Sequence, residues 1–471
     1  MPIERAPIAD HPTIFVILGI TGDLASRKLL PALLTLYSKR LLPQRFAIIG
    51  FSRRQFSRDE FREHIREHLN VKPGQFREED IKHFLDHMTY EQGFFDNAPA
   101  YERLSERLKS IDDRWGQCSN KLFHLSVPPS LYEGILNRLA ESKLTRPCDD
   151  ATGWTRILIE KPFGNDIEGA RSLDRLLGRL FDERQIFRID HYLAKESLQN
   201  ILAFRFENPM FEPMWRREHI DKVHIKLFEK EALDSRGAFY DKLGAIKDVG
   251  QNHMLAMLAL IAMNEPRSFS AEDIRRERAR VLNSIKRVSA SQLKKTAAKG
   301  QYRGFTAEHG VDPRSSTETY FRLAAQLSGS RWRGVPFFLE SGKGMAESKT
   351  EIDIYFKGKK PKKGSQTPPD QNILTFRIQP DECIKIKFFV KHPGYGFKAE
   401  PKTLRFKYSD TPWQDEIPND YERLIRDAFI GDQTLFASTD EIMASWRFIT
   451  SVLENWDKVP MALYEKGASE I

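Results

Sequence analysis

A nine-residue segment in the middle of the chain gathers side chains that can move a proton and hold an anion. Residues 188–196 read Arg-Ile-Asp-His-Tyr-Leu-Ala-Lys-Glu and follow a short strand-like run at 185–187. A neutral histidine suits removal of a hydroxyl proton, and a carboxylate on its second ring nitrogen fixes its tautomer. Ammonium, imidazole and phenol groups close together favour a phosphorylated ligand. The segment therefore predicts a site that combines proton transfer with phosphate binding.

Each candidate residue allows two interpretations. The candidates for proton transfer are His253, His191 and Asp190. The candidates for phosphate binding are Lys195, His191 and Tyr192. Alternatively, His253 is a core residue of an apolar helix, Asp190 caps the helix that follows it, and Lys195 lies on an exposed helical face. The joint occurrence of these residues, and none of them alone, favours a functional site.

The N-terminal part of the chain predicts a dinucleotide site. Residues 13–18 form a continuous apolar run, Gly-Ile-Thr-Gly-Asp-Leu-Ala follows at 19–25, and leucines then recur at helical spacing. Strand, glycine turn and helix are the phosphate-binding start of a dinucleotide fold. Gly19 would permit the tight turn and Gly22 the approach of the pyrophosphate, with Asp23 and Leu24 completing the motif. The alternative is a glycine turn of any α/β domain.

Two arginines follow the second strand, where NAD enzymes place an acidic residue. The strand at 46–50 continues into Phe51-Ser52-Arg53-Arg54. An acid at this position binds the ribose hydroxyls of NAD. Arg53 and Arg54 would instead pair with the 2′-phosphate of NADP, although they would also suit a solvated surface. The pair predicts NADP preference, with NAD use possible.

The hydrophobic pattern changes near residue 187. Before it, apolar strands alternate with helices, which predicts βαβ units and a parallel sheet. After it, strands with alternating apolar and polar residues predominate, which predicts a large antiparallel sheet. Two long helices interrupt the later strands, at 248–263 and 420–429. We therefore expect two domains, residues 1–187 and residues 188–471.

Composition narrows the function further. The chain has 471 residues, 30% of them charged, and a formal net charge of +8 that is spread along the sequence. The densest basic run, residues 357–363, is typical of a solvated loop, and nucleic-acid binding is disfavoured. The longest apolar run, residues 254–263, is too short to span a bilayer. Three cysteines, odd in number and without metal-ligand spacing, suit a reducing compartment. We expect a cytoplasmic protein that needs no metal and binds no membrane.

Six motifs, in this order, resemble those of the glucose-6-phosphate dehydrogenase family. They stand at residues 19–25, 160–164, 188–196, 248–253, 335–343 and 421–425. The resemblance implies an α/β Rossmann-like N-terminal domain plus an α+β C-terminal domain with a large, mainly antiparallel sheet. It also implies oxidation of D-glucose 6-phosphate at C1 to 6-phospho-D-glucono-1,5-lactone with NADP+, the first step of the oxidative pentose phosphate pathway.

The resemblance implies roles for individual residues. His253 matches the general base and Asp190 its orienting partner. The positions that match substrate-binding residues are His191, Tyr192, Lys195, Glu229, Asp248 and Lys343. Lys161 matches the lysine between coenzyme and substrate, next to a cis Lys161–Pro162 bond, and Lys28 lies beside the coenzyme turn. As alternatives to these roles, Asp248 would cap a helix and Lys343 would be a turn lysine.

Some positions depart from the family pattern, and some questions stay open. Ala194 replaces a usual glycine, His124 an expected tyrosine near the coenzyme, and Ser348 an arginine that several members have near the substrate. We expect no second, structural NADP, and a homodimer or dimer of dimers formed through the large sheet. The alternatives are a broader hexose-6-phosphate dehydrogenase using NAD+ or NADP+, and a catalytically silent nucleotide-binding regulator.

Overall fold

The computed structural model of the chain describes residues 11–148, 153–233, 237–358 and 371–471. Most of the basic run at 357–363 therefore lies outside the described residues. The chain divides into two compact units. Unit 1 contains the chain up to Gly164, Glu168–Ala194 and Pro418–Thr439, and unit 2 contains Asn165–Ile167, Lys195–Ile417 and Asp440–Ile471.

This division differs from the single boundary expected after residue 187. The strand Ile186–Ile189 pairs with Thr155–Glu160, so the chain as far as Ala194 stays with the first sheet. The short strand Phe436–Ala437 pairs with the other edge of Ile186–Ile189, which returns residues 418–439 to unit 1. A hydrophobic pattern read along the chain does not show such a return, because it depends on pairing between distant segments.

Unit 1 is built on a seven-stranded sheet. Its strands are β1 Thr13–Leu18, β2 Phe46–Ser52, β3 Met88–Gln92, β4 Asn120–Leu125, β5 Thr155–Glu160, β6 Ile186–Ile189 and β15 Phe436–Ala437. The order is β15-β6-β5-β4-β1-β2-β3, and every neighbouring pair is parallel except β15 with β6. β1, β2 and β4 are buried along their whole length, as strands covered on both faces should be. The predicted parallel, Rossmann-like sheet is confirmed.

Helices connect these strands. The chain is helical from Asp23, with a π-helical turn at Ala25–Leu29. The α-helices of this unit are α1 Leu30–Ser38, α2 Arg58–His68, α3 Glu78–Asp86, α4 Ala98–Trp115, α5 Tyr132–Glu141, α6 Ile167–Leu180 and α12 Asp420–Ile430. α2 begins with a capping box, in which the Ser57 and Glu60 side chains each accept from the other's backbone N–H. α5 begins after a 3₁₀ turn and has no side-chain cap.

Unit 2 is built on a nine-stranded sheet in the order β14-β13-β12-β11-β7-β10-β9-β8-β16. Its strands are β7 Ile220–Phe228, β8 Ala298–Tyr302, β9 Tyr320–Gln326, β10 Pro336–Gly342, β11 Lys349–Phe356, β12 Ile373–Gln379, β13 Cys383–Lys391, β14 Ala399–Lys407 and β16 Met461–Tyr464. Only β7 with β10 and β8 with β16 are parallel pairs. The large, mainly antiparallel sheet is confirmed.

The α-helices that follow or interrupt the strands of this sheet are α7 Glu196–Phe206, α8 Gly237–Tyr240, α9 Leu255–Ala262, α10 Ala271–Asn283, α11 Ala290–Thr296 and α13 Thr439–Leu453. Ile225 and Ile352 each stand between two polar neighbours on their strands and are fully buried. The core of unit 2 therefore follows the period-two pattern of the sequence. Within the described residues, no helix is both long and apolar enough to cross a bilayer.

Two of the three cysteines are joined, which the odd number did not indicate. Cys118 and Cys148 form a disulfide across 30 residues of chain, and Cys383 is free and buried. The Lys121 ammonium lies 3.3 Å from the Cys148 sulfur and bonds to the Asp112 carboxylate. The prediction of a reducing compartment from cysteine usage is therefore not supported by the pairing of these two residues.

Candidate active site

The glycine turn of unit 1 has the geometry that a dinucleotide requires. Gly19 follows β1 with a φ of +91°, and a β-carbon there would lie 2.2 Å from the Ser126 carbonyl oxygen. Only glycine fits this left-handed, crowded position. The Gly22 N–H donates to the Gly19 carbonyl at 2.9 Å and closes the turn. The backbone of the turn is thereby left open to a ligand at the carboxyl end of the parallel sheet.

Arg53 and Arg54 line the same cavity as the glycine turn. The cavity has a volume of about 580 Å³ and includes Gly19, Gly22, Ser126 and both arginines in its lining. Within the described part of the chain, neither guanidinium is engaged in a side-chain hydrogen bond or ion pair. The cavity therefore offers two cations beside a phosphate-binding turn, which is the arrangement expected for a 2′-phosphate.

The coenzyme candidates Asp23 and Leu24, and the substrate candidate Lys28, lie at the start of the first helix. Asp23 is exposed and pairs with Arg27 at 2.7 Å, and Lys28 is exposed in the π-helical turn. Among the described residues, neither these two nor Leu24 is part of the cavity lining. The structure thus brings Gly19, Gly22 and the arginine pair together, and it keeps the other candidates on the adjoining helix.

Lys161 and Asp190 leave the parallel sheet at the same edge. Glu160, the last residue of β5, pairs in register with Ile189, the last residue of β6. Each candidate is the next residue along its strand, so both follow carboxyl ends of neighbouring strands. The Lys161–Pro162 bond is cis, as expected. Parallel strands of this kind place their functional residues at the carboxyl edge.

Asp190 is buried and begins a short turn. Its Oδ1 accepts the Tyr192 N–H at 3.1 Å, and residues His191–Ala194 form a 3₁₀ turn. Asp190 therefore caps this 3₁₀ turn, whereas the helix that it was expected to cap, α7, has Lys195 at its N-cap. Lys195 stands at the N-cap of α7 and is half-buried, so it does not lie on an exposed helical face.

Unit 2 gathers a lysine and two carboxylates from three separate elements. Lys343 follows β10, Glu229 follows β7, and Asp248 lies on a π-helical segment, Ile246–Met254. The Lys343 ammonium bonds to the Glu229 carboxylate and lies 3.5 Å from Asp248 Oδ2. The three side chains that the resemblance implied for sugar binding are therefore in contact, or nearly so, in the structure.

The backbone around this cluster is closely fixed. The backbone N–H of Glu229 donates to the Gly342 carbonyl oxygen at 2.9 Å, and the backbone N–H of Lys343 donates to the Thr319 carbonyl oxygen at 2.9 Å. The Tyr464 hydroxyl donates to the Lys343 carbonyl at 2.7 Å. Lys343 is 5% exposed, so it is not a simple turn lysine. A buried ammonium needs this kind of pairing, because desolvation without a partner costs several kcal/mol.

The π-helical segment that carries Asp248 also carries His253. His253 is 1% exposed, and its backbone N–H donates to Asn252 Oδ1 at 2.7 Å. The helical residues begin at Gly244, four residues before Asp248, so the interpretation of Asp248 as a helix cap is wrong. π-helical turns are uncommon and often occur at functional sites. Residue types do not predict this π-helical segment, because it depends on backbone hydrogen bonding.

The three departures from the family pattern have different surroundings. The Ser348 hydroxyl accepts from the Lys230 backbone N–H at 2.8 Å and donates to the Glu231 carboxylate at 3.0 Å, so it links the residue before β11 to the segment after β7. Ala194 is buried at the end of its 3₁₀ turn. His124 is fully buried on β4, 3.3 Å from Glu160.

Sequence reasoning missed several residues of the nucleotide cavity. They are Thr21, Ser52, Phe94, Asp96 and Ser126. Phe94 is 54% exposed, unusual for a phenylalanine, and offers a ring on which a base can stack. Its position just after β3 was a signal, since loops at carboxyl strand ends carry binding residues in this type of sheet.

A glycine turn and arginine pair on a parallel sheet, with a buried lysine–carboxylate cluster on a second sheet, define a pyridine-nucleotide-dependent oxidoreductase of two units. Sequence profiles agree: the glucose-6-phosphate dehydrogenase NAD-binding domain matches residues 16–200, and its C-terminal domain matches residues 202–470. The chain belongs to the glucose-6-phosphate dehydrogenase family.

Individual relatives cover nearly the whole chain. Glucose-6-phosphate 1-dehydrogenase of Aggregatibacter actinomycetemcomitans is 40% identical over 93% of this chain and 90% of its own. The enzyme of that name from Chlamydia pneumoniae is 38% identical over 96% of this chain and 91% of its own. A solved glucose-6-phosphate dehydrogenase in complex with its substrate glucose-6-phosphate has a TM-score of 0.89 at 31% identity, covering 98% of this chain and 96% of that one.

Proposed function

We propose that this protein oxidises D-glucose 6-phosphate at C1 to 6-phospho-D-glucono-1,5-lactone and reduces NADP+, as the first step of the oxidative pentose phosphate pathway. The observation that carries the proposal is the cluster of Glu229, Asp248 and Lys343, which three distant segments of unit 2 bring together. A sugar with several hydroxyls needs fixed acceptors and donors of this kind, and the family relationship supplies the substrate.

The cavity of unit 1 fits the coenzyme. The turn at Gly19 excludes a side chain and leaves the backbone accessible, while Arg53 and Arg54 supply positive charge for a 2′-phosphate. A pyridine nucleotide bound there would supply the acceptor for the hydride that leaves the substrate carbon. We assign NADP+ as the preferred coenzyme on the arginine pair, with weaker use of NAD+. We expect neither a metal nor a second, structural nucleotide.

We assign proton transfer and substrate binding to side chains of the protein itself. We assign the removal of the C1 hydroxyl proton to His253 and the orientation of its ring to Asp190, because a neutral imidazole suits this transfer. His191, Tyr192 and Lys195 are assigned to the substrate phosphate, where charge-assisted hydrogen bonds bind a dianion most strongly. Lys161 is assigned to the region between coenzyme and substrate. Binding of the remote phosphate would then position C1 for reaction.

The test of this function is reduction of NADP+ and NAD+, in parallel, by the purified protein with glucose 6-phosphate, followed by nicotinamide absorbance. Rapid turnover with NADP+ and slower turnover with NAD+ is the expected result. Turnover with NAD+ alone would keep the reaction and remove the coenzyme assignment. Coenzyme binding without turnover would support the silent regulator instead. Equal rates with galactose 6-phosphate would support the broader hexose-6-phosphate dehydrogenase.

The proton-transfer assignment has its own test. Replacing His253 with asparagine retains a polar side chain but removes the base, so kcat should fall by roughly 100-fold or more. The affinity for NADP+, measured by fluorescence titration, should stay within about twofold of the native value. A kcat near that of the native enzyme would exclude His253 as the base.

The assembly and location complete the proposal. We propose a homodimer, or a dimer of dimers, formed through the large sheet of unit 2. Leu404 on the edge strand β14 is 61% exposed, and Phe406 beside it is 38% exposed. Together with Ile384 and Ile386 they line an open groove of about 440 Å³. Exposed apolar groups on an edge strand suit a partner surface. We further propose a cytoplasmic location, to be checked by cell fractionation.

A further inference from the structure

A buried polar cluster lies directly before Lys161 in unit 1. Glu160 ends β5, and its Oε1 accepts the hydroxyl proton of Tyr421 at 3.0 Å. The same oxygen lies 3.3 Å from His124 Nε2, a close contact that is not aligned as a hydrogen bond. The Tyr132 hydroxyl donates to the Glu160 carbonyl at 3.0 Å. Both the side chain and the backbone carbonyl of Glu160 therefore have partners within the cluster.

The cluster is well shielded from water. His124 is fully buried, Tyr132 is 2% exposed and Tyr421 is 6% exposed. Burial, and next the Glu160 charge, raise the pKa of Tyr421, so its hydroxyl keeps its proton and remains a donor. Electrostatic contacts are stronger in such surroundings than in water, and an unpaired buried carboxylate is costly. The contacts therefore restrict Glu160 strongly.

Each partner comes from a different element. His124 lies on β4, next to β5 in the sheet, Tyr132 begins α5, and Tyr421 lies in the first turn of α12. The Asn419 side chain caps that helix by accepting the Tyr421 N–H at 3.0 Å. Three elements distant in sequence thus converge on the residue that precedes Lys161.

From this geometry we infer that His124, Glu160 and Tyr421 form a positioning cluster that fixes the end of β5 and thereby sets the position of Lys161 for the reaction. The inference rests on the proposed function, in which Lys161 acts between coenzyme and substrate. Because Glu160 pairs in register with Ile189, the same anchor also fixes the edge from which Asp190 leaves. A displacement of about 1 Å in a reacting group can cost up to about 100-fold in rate.

The cluster also accounts for the histidine at position 124. A tyrosine was expected there from the family pattern, and the structure shows that the imidazole faces the Glu160 carboxylate instead of solvent. His124 is thus a positioning residue that acts through Glu160. It contributes to neither proton transfer nor coenzyme contact in this assignment.

The test is a double-mutant cycle between Tyr421 and Lys161. Tyr421→Phe removes a single oxygen and keeps the ring, so the enzyme should fold, with an unfolding midpoint within a few degrees of the native one. On the native background this change should lower kcat/KM for glucose 6-phosphate about tenfold. On a Lys161→Ala background, already impaired, it should cause less than about a twofold further loss.

A matched variant separates positioning from general destabilisation. Tyr302→Phe in unit 2 removes a comparable tyrosine–carboxylate hydrogen bond, to Glu308 at 3.2 Å. This variant should keep kcat/KM within about twofold of the native value. Its effect should be the same on the native background and on the Lys161→Ala background. Glu160→Gln provides a second, charge-removing variant, which should show the same dependence on Lys161 as Tyr421→Phe.

The outcomes distinguish this inference from the function on which it rests. Equal losses from Tyr421→Phe on both backgrounds, or no loss on the native background, would overturn the positioning role alone. If Lys161→Ala itself left kcat/KM unchanged, both the role of Lys161 and the inference would be overturned. Native protein without any turnover would contradict the proposed function before the cycle is begun.

Discussion

At the scale of single residues, we assign ligand discrimination to the arginine pair and to the buried lysine. Arg53 and Arg54 share a cavity with the glycine turn and have no internal side-chain partner within the described residues. Lys343, by contrast, is buried and already paired with Glu229. The first two are thus available to a ligand's charge, whereas the third organises acceptors around it.

Replacing Arg53 and Arg54 with alanine should weaken the binding of NADP+ and leave the binding of NAD+ nearly unchanged. Loss of charge-assisted hydrogen bonds worth about 1.5–3 kcal/mol should raise the KM for NADP+ by roughly 10–100-fold, with the KM for NAD+ within about twofold. Steady-state kinetics with both coenzymes measure the difference. Arg58→Ala is the matched control, an exposed arginine on α2 outside the cavity lining. Equal losses for both coenzymes would contradict the assignment.

Replacing Lys343 with methionine should damage substrate binding. The Glu229 and Asp248 carboxylates would lose the ammonium beside them, and their repulsion should raise the KM for glucose 6-phosphate about tenfold or more. NADP+ affinity should not change, as titration would show. Lys299→Met is the control, since Lys299 is also buried but bonds to the Trp456 carbonyl. An unchanged substrate KM would exclude the cluster from sugar binding.

At the scale of secondary-structure elements, strand ends position the candidate groups. β1 and β2 lead to the nucleotide cavity, β5 leads to Lys161 and β6 to Asp190. β7 and β10 run parallel in unit 2, so Glu229 and Lys343 also leave their sheet side by side. This pattern follows from parallel pairing, because neighbouring strands then end at the same edge.

The disulfide at the start of β4 should stabilise unit 1. Closing a loop of 30 residues contributes about 3–4 kcal/mol in the chain-entropy account. Cys118→Ser, or a thiol reductant, should therefore lower the thermal midpoint by several degrees in calorimetry. Cys383→Ser should leave the response to reductant unchanged, since Cys383 is unpaired. Identical midpoints with and without reductant would show that the bond does not contribute.

At the scale of the whole molecule, the dimer proposed above would use the exposed edge of the large sheet. Leu404→Glu with Phe406→Glu places charges on β14 and should therefore yield monomers where the native protein is a dimer, as measured by light scattering after size-exclusion chromatography. Leu463→Glu is the matched control, because Leu463 is 56% exposed on β16, at the opposite edge of the same sheet. If the double variant had the same molecular mass as the native assembly, the β14 edge would not be the interface.

The sequence by itself determined the parallel sheet, the antiparallel sheet and the glycine turn with its arginine pair. These features depend on local patterns, namely apolar runs, alternation and the residue types at turns. The tertiary structure alone decided three things: the place of residues 418–439 in unit 1, the contacts among Glu229, Asp248 and Lys343, and the contacts of Glu160 with His124 and Tyr421. All three depend on pairing between segments far apart in the chain, which no local pattern of residues encodes.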